Sequence, residues 1–245
     1  MMVQLVGQMQ LNDMEVRKFL DYQGMLGNKI DWEIEDSDLI PEVAGRICYM
    51  SFDNPRPGGN AAYLSHIKEV GHGSVLEHSV FSFIISGVSR ILTHELVRHR
   101  AGMAYSQLSQ RYVDESERAM VIPESIPEDL KNEWKEHVCR AKELYIKTTE
   151  RMAAELKDSN LSMSEKRKAA RQDSRYILPH GMETIIYVTA NARALRHILE
   201  MRGSKMALPE IRQMAISCLD CIQHLNLFKD YQMSEVGITT EFPKV

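Results

Sequence analysis

Between Glu128 and Lys157 the chain sets Leu130, Trp134, Val138, Ala141, Tyr145, Met152 and Leu156 at helical spacing, which predicts one long amphipathic helix. A second helix, polar and basic at Lys166, Arg167, Lys168 and Arg171, is expected over Ser162–Arg175; up to its last residue this run reads as a solvated face. So much helix needs a partner to pack against, and the strand signals are scattered around it. Val3–Gln8 alternates weakly, Leu76–Ser86 carries Val80, Phe81, Phe83, Ile84 and Ile85, and Thr184–Thr189 is rich in β-branched residues. A short strand is expected at Val121 and Ile122. Further helices are predicted over Asp36–Met50, from Asn60 as N-cap to Val70, over Val88–Arg98 once Gly87 has broken the strand, over Ala192–Met201 with Asn191 as N-cap, and over Leu208–Leu227. Strands and helices do not alternate as regular βαβ units. The expected class is therefore α+β, a mixed and largely antiparallel sheet packed with long helices, in a single domain over residues 1–245.

Composition narrows the function. The 245 residues carry a formal net charge of −4, so a broad nucleic-acid surface is not expected, and any anion site must be a local cluster of arginines. No apolar run approaches the ~18–20 residues that span a bilayer, so no membrane partner is expected. The first residues, Met1-Met2-Val3-Gln4-Leu5, have no basic segment followed by a long apolar one, which argues against an export signal. The four cysteines then read as reduced thiols in a cytoplasmic protein. Cys218 and Cys221 form a C-x-x-C, but Ile211, Met214, Ala215, Ile222 and Leu225 surround them at helical spacing, so core packing is the expected role.

No G-x-G-x-x-G, Walker A loop or G-x-S-x-G elbow is present. His94 and His99 resemble a zinc pair, but they stand five residues apart and diverge by about 140° on a helix. The unusual feature is Arg98-His99-Arg100 followed by Ser106, Gln107, Ser109, Gln110 and Arg111. Cations at a helix C-terminus would be favoured by the macrodipole alone. That does not account for the polar run that follows. Planar donors and hydroxyls at this density suit a phosphate and a heterocyclic base. Arg98 and Arg100 diverge by about 200° if helical, so two ligands, or two parts of a large one, fit better than one small anion. A nucleotide- or RNA-binding protein without catalysis uses the same residues and remains a rival, as does a zinc hydrolase on His94 and His99.

Arg98-His99-Arg100 with Ser109-Gln110-Arg111-Tyr112 resembles the signature of the flavin-dependent thymidylate synthases. Gly71–His78, Thr93–Val97, Arg175–Pro179, Asn191–His197 and Met201–Gly203 match further pieces in the same order, so the resemblance runs from about Glu42 to about Leu219. One departure stands out: eight residues, Ala101–Leu108, separate the triplet from Ser109 where the family usually has seven. The resemblance implies a homotetramer that binds FAD where subunits meet and methylates dUMP to dTMP. Methylenetetrahydrofolate would supply the carbon and NADPH the reducing equivalents.

Roles follow position by position as implications of that likeness. Ser74, Arg98, His99, Arg100, Gln107, Asn191, Ala192, Arg193 and His197 match the FAD side. Glu95, Leu96, Val97, Arg98, Gln107, Leu108, Ser109, Gln110, Arg111, Arg175 and Arg202 match the dUMP side. Arg202 matches the catalytic arginine beside N3 of the uracil ring, where a cation would stabilise negative charge on the pyrimidine. Taken alone, Ser74 is a turn residue, Asn191 an N-cap, His197 a half-buried histidine and Arg202 a cation at a helix C-terminus. None of the four cysteines sits in an activating arrangement, which agrees with electrostatic rather than thiolate chemistry. No metal is expected.

Overall fold

The computed structural model describes residues 1–25, 27 and 29–245. In chain order the elements are β1 (Met2–Gln8), α1 (Asp13–Tyr22), α2 (Asp36–Tyr49), α3 (Gly59–Glu69), α4 (Gly73–Leu76), β2 (Val80–Ser89), α5 (Arg90–Leu96), β3 (Met103–Gln107), α6 (Lys131–Glu155), α7 (Met163–Ser174), β4 (Glu183–Asn191), α8 (Ala192–Arg202), α9 (Pro209–Ile222), β5 (Tyr231–Ser234) and β6 (Gly237–Thr240). Strands β1-β2-β4-β3 hydrogen-bond in that order, and β5 and β6 form an antiparallel hairpin. The mixture of helix and antiparallel sheet is the expected α+β class.

The chain divides into two units. The first comprises Met1, Ile85–Val97 and Ser106–Ile186. Its helical part is α6 against α7, and Val138, Tyr145, Leu178 and Met182 bury against one another with Met120 beside them. Ser162 opens α7 with a complete capping box, its hydroxyl accepting from the Glu165 N–H while the Glu165 carboxylate accepts from the Ser162 N–H. The expected strand at Val121 and Ile122 is reduced to a single bridge between Met120 and Met182.

The second unit comprises Met2–Ile84, Arg98–Tyr105 and Tyr187–Val245. Its core includes Leu64, Leu76, Phe81, Phe83, Leu199, Ile211, Met214, Cys218 and Phe228, with Phe81 and Phe228 edge to face at 5.6 Å. Helix α2 contains Pro41, which cannot donate to the Ser37 carbonyl one turn earlier. The buried Ser79 hydroxyl donates to that carbonyl instead, at 2.5 Å. A second polar knot ties the end of the chain to α3 and α8. The Asp230 carboxylate, 5% exposed, accepts from Lys68 Nζ, from both Arg196 Nη atoms at 3.0 and 2.8 Å, and from Thr240. Burial would raise the Asp230 pKa, but hydrogen bonds and charge from Arg196, with help from Lys68 and Thr240, bring it down to about 2.

Two expectations need correction. Asn60 does not cap α3: Gly58 does, at φ +93°, while Asn60 is buried inside the helix and donates to the Asp38 carbonyl and Glu42. Gly87 does not end β2. At φ +67° it lets the burial alternation slip by one residue, and the strand runs on to Ser89, whose hydroxyl then caps α5. Arg171, the last residue of the basic run and the one set apart from its solvated face, has a side chain 17% exposed that donates to the Tyr112 carbonyl and to Asp114.

Candidate active site

In the second unit the arginine triplet follows the end of α5 and turns at Gly102 into β3. The turn has a steric cause. Gly102 adopts φ +70°, and a Cβ there would stand 2.6–2.8 Å from the amide atoms of Asn191. The Gly102 carbonyl accepts from the Asn191 N–H at 3.0 Å, and Asn191 Oδ1 caps α8 by accepting from the Ala194 N–H at 2.8 Å. The Ala101–Leu108 stretch thus begins with a tight turn locked against the start of α8. The expected cap at Asn191 is present.

Arg98, His99, Arg100, Met103, Ala194 and His197 line a pocket of about 240 Å³. Arg98 and Arg100 are exposed, and the His99 and His197 rings meet edge to face at 5.6 Å. Nε of Arg202 donates to Nε2 of His99 at 2.9 Å, and the Tyr105 hydroxyl donates to the His99 carbonyl at 2.7 Å. Burial first, then the charges of Arg202 and His197, drive the His99 pKa down to about 4, so the ring is neutral near pH 7. Arg193 donates to Glu77 at 2.7 Å and passes so close to Gly73 that a Cβ there would lie 2.9 Å from Arg193 Nε. Ser74, next in α4, is exposed. Ala192 is buried, its N–H donating to the Ser79 carbonyl. The backbone just after Arg202 is held as well: the Ile238 N–H of β6 donates to the Gly203 carbonyl at 3.0 Å.

In the first unit, Arg90, Thr93, His94, Val97, Gln107 and His180 line a pocket of about 270 Å³. The Gln107 amide donates to Thr93 at 3.0 Å and Thr184 at 3.4 Å, which aims its side chain. Ser109 opens a turn whose carbonyl accepts from the Tyr112 and Val113 N–H groups, and its hydroxyl accepts from the Arg111 N–H at 3.4 Å. Gln110 donates to Glu115, a carboxylate with no exposure, whose pKa burial pushes up against the pull of Gln110 and Arg90. Arg111 Nε is buried without a hydrogen-bond partner. Arg175 donates to the Gln172 carbonyl of its own turn. Leu96 is buried, so only its backbone can meet a ligand, while Glu95 is half-buried.

The structure therefore gathers Arg98, His99, Arg100 and His197 around one pocket, with Arg202 bonded to His99, and puts Val97 and Gln107 in the lining of the other. Leu108, Ser109, Gln110, Arg111 and Arg175 do not line either pocket. Sequence reasoning missed Arg90, whose Nη1 is buried without a partner in the wall of the second pocket. It sits one residue after the Ser89 cap, and a cation at a helix start, against the macrodipole, was the available signal. Among the described residues no group of three or more His, Cys, Asp and Glu side chains could hold a metal ion. Cys218 is buried in α9 and burial raises its thiol pKa, which leaves it an inert core residue.

Two cationic and two imidazole side chains around one concave pocket suit a ligand with charged phosphates and a flat ring system. The family model described as thymidylate synthase complementing protein matches residues 30–225. A flavin-dependent thymidylate synthase of Mycolicibacterium gilvum (strain PYR-GCK) is 41% identical over 220 residues, covering 86% of this chain and 87% of that protein. Enzymes of the same name from Mycobacterium tuberculosis (strain ATCC 25177 / H37Ra) and Mycolicibacterium vanbaalenii are 43% identical over 215 residues and 44% identical over 209, covering 85% and 82% of each chain in turn. With four-fifths of its length matched in this way, and with the arginine triplet facing a pocket, the chain belongs to the flavin-dependent thymidylate synthase family of enzymes.

Proposed function

We propose that this protein carries out the reductive methylation of dUMP to dTMP, with methylenetetrahydrofolate as carbon donor, FAD as bound cofactor and NADPH as reductant. The reading includes a homotetramer with active sites shared between subunits, a cytoplasmic location, and the whole of residues 1–245 acting as one domain. Its main support is the family match over residues 30–225 together with the pocket lined by Arg98, His99, Arg100 and His197.

In this reading Ser74 contacts the FAD phosphates, Arg98, His99 and Arg100 form the FAD-binding triplet, and Asn191, Ala192, Arg193 and His197 lie on the flavin side. Glu95–Val97 and Leu108–Arg111 form the dUMP wall, Arg175 adds a cation to it, and Arg98 and Gln107 meet both molecules. When bound, the flavin supplies hydride chemistry. The chain supplies charge and orientation. Arg202 faces the uracil ring and stabilises negative charge as it develops there, which raises the nucleophilicity of C5 without a bond to the enzyme. No activated thiolate is needed for that step, in keeping with the buried Cys218.

The test is a purified protein assayed for flavin absorbance and for tritium release from C5-labelled dUMP in the presence of reductant and methylenetetrahydrofolate. A yellow preparation that releases tritium is expected. A protein that takes up no FAD and releases none would overturn the reading. Arg202→Ala should retain flavin and lower kcat about 10²–10³-fold, the scale of one lost electrostatic donor.

A further inference from the structure

We propose, on the reading that puts Gln107 in the dUMP site, that Thr93 is its positioning residue: the Thr93 hydroxyl oxygen turns the Gln107 amide so that its carbonyl oxygen meets an O–H or N–H donor of the nucleotide.

Both residues line the second pocket. A threonine hydroxyl has one proton to give and two lone pairs that accept. The Thr93 hydroxyl donates to the Arg90 carbonyl at 3.1 Å, three residues back in α5. Back-bonding of this kind is ordinary for a threonine in a helix. Here the same oxygen also lies 3.0 Å from Gln107 Nε2. With its proton committed to Arg90, that oxygen accepts. Gln107 Nε2 donates as well to Thr184 Oγ1 on β4, at 3.4 Å. Two N–H groups directed at two threonines leave Oε1 as the amide's polar atom for the pocket, and among the described residues no group donates to it.

The frame around this relay is fixed. The Arg90 N–H donates to the Met182 carbonyl at 3.2 Å, and the Ser89 hydroxyl accepts from the Leu92 N–H at 3.1 Å, so the first turn of α5 is tied down. The Leu108 N–H donates to the Ile185 carbonyl at 2.9 Å, which holds the backbone next to Gln107. Thr93 is 2% exposed and Thr184 has no exposure, so water does not compete for either oxygen. The two ends of a carboxamide have nearly the same shape, and its partners decide which end a ligand meets. A fixed oxygen accepts from a sugar hydroxyl or a ring N–H and disfavours a phosphate or carbonyl oxygen. An amide free to turn would suit either.

Thr93→Val, Thr93→Ser, Gln107→Ala and the double variant with Thr93→Val and Gln107→Ala test this. Each is saturated with FAD, folding is read from a thermal melt, and kcat and the KM for dUMP are measured. Thr93→Val keeps the shape of the side chain without its oxygen. It is expected to raise KM about 3- to 10-fold, the scale of one neutral hydrogen bond, with kcat changed less than about 2-fold. Thr93→Ser restores the acceptor and should recover most of that loss. In the Gln107→Ala background Thr93→Val should change KM less than about 2-fold, because the group it holds is gone. A packing role for Thr93 would give the same change in both backgrounds. That result, or wild-type KM in Thr93→Val beside a raised KM in Gln107→Ala, would overturn the proposal. If Thr93→Val does not fold, Thr93→Ala takes its place in both backgrounds. Wild-type KM in Gln107→Ala would instead remove Gln107 from the substrate site, and the proposal with it. A dUMP analogue lacking the sugar hydroxyl, used as a competitive inhibitor, tells the two donors apart. Inhibition insensitive to Thr93→Val points to the hydroxyl, and inhibition weakened as for dUMP points to the ring N–H.

Discussion

At the scale of single residues, Ser79, Asp230 and Gly102 each have an identified partner, and the partner predicts the cost of losing it. Ser79 donates to the carbonyl that Pro41 orphans inside α2. Ser79→Ala leaves that carbonyl buried and unsatisfied, and should lower the unfolding free energy by about 1–3 kcal/mol in a urea titration. The Asp230 carboxylate stands between the buried cations Arg196 and Lys68 and pairs with both. Asp230→Asn leaves two cations facing each other without a counter-charge, for which a loss of about 3–5 kcal/mol is expected in the same titration. Gly102→Ala places a methyl into the Asn191 side chain at a backbone angle that disfavours any side chain. Because Asn191 caps α8, the substitution should weaken flavin retention on gel filtration more than it lowers the melting temperature. The arginine triplet itself was legible from the residue types. The neutrality of His99 was not, because it depends first on burial in the folded chain and then on Arg202, 103 positions further along.

The elements show why some of the fold could be read directly and some could not. Helices α6 and α7 announce themselves by periodic apolar residues and a capping box. Helix α1 is not among the expected elements, although Asn12 caps it and Val16, Phe19 and Leu20 lie on one face, because no strong apolar run draws attention to so short a helix. Strand β3 hides inside the polar run Met103–Gln107 for a different reason. It is an edge strand of the sheet, with no fully buried residue, so it lacks the apolar alternation by which strands are recognised. The hairpin of β5 and β6 has strands of four residues each, too short for a pattern to repeat. Arg171 was legible as a cation but not as a clamp, since Tyr112 and Asp114 lie 59 and 57 positions away. Arg171→Ala should loosen the turn that follows Ser109–Arg111. Under the proposed assignment this raises the KM for dUMP several-fold while flavin occupancy stays at the wild-type level, a split that steady-state kinetics and absorbance resolve.

For the molecule as a whole, stability should depend on pH through groups of opposite sign. His99 titrates at about 4 in the folded protein against 6.5 ordinarily, because burial, Arg202 and His197 all resist its protonation. The unfolded chain therefore takes up a proton that the folded one refuses, and this stabilising contribution is complete above pH 6.5 and fades as pH falls towards 4. Asp230 adds a second acid step, with its contribution intact above 3.8 and lost as pH falls through about 2. Glu115 works against them, since a raised carboxyl pKa favours the folded state as pH drops. The melting temperature of the wild type should fall more steeply than that of His99→Gln between pH 6.5 and 4, by differential scanning calorimetry. Matching slopes would mean that His99 is not held neutral. One further consequence follows from the way the last residues are tied down. The family model ends at residue 225, yet Asp230, Thr240 and the Phe242 carbonyl bind Arg196, and the Lys244 N–H donates to Glu200, both on α8. In a chimera with a relative, the natural-looking seam at residue 225 would separate α8 from the tail matched to it. A recombination boundary placed before residue 192 instead, so that helix and tail travel together, keeps those contacts within one parent.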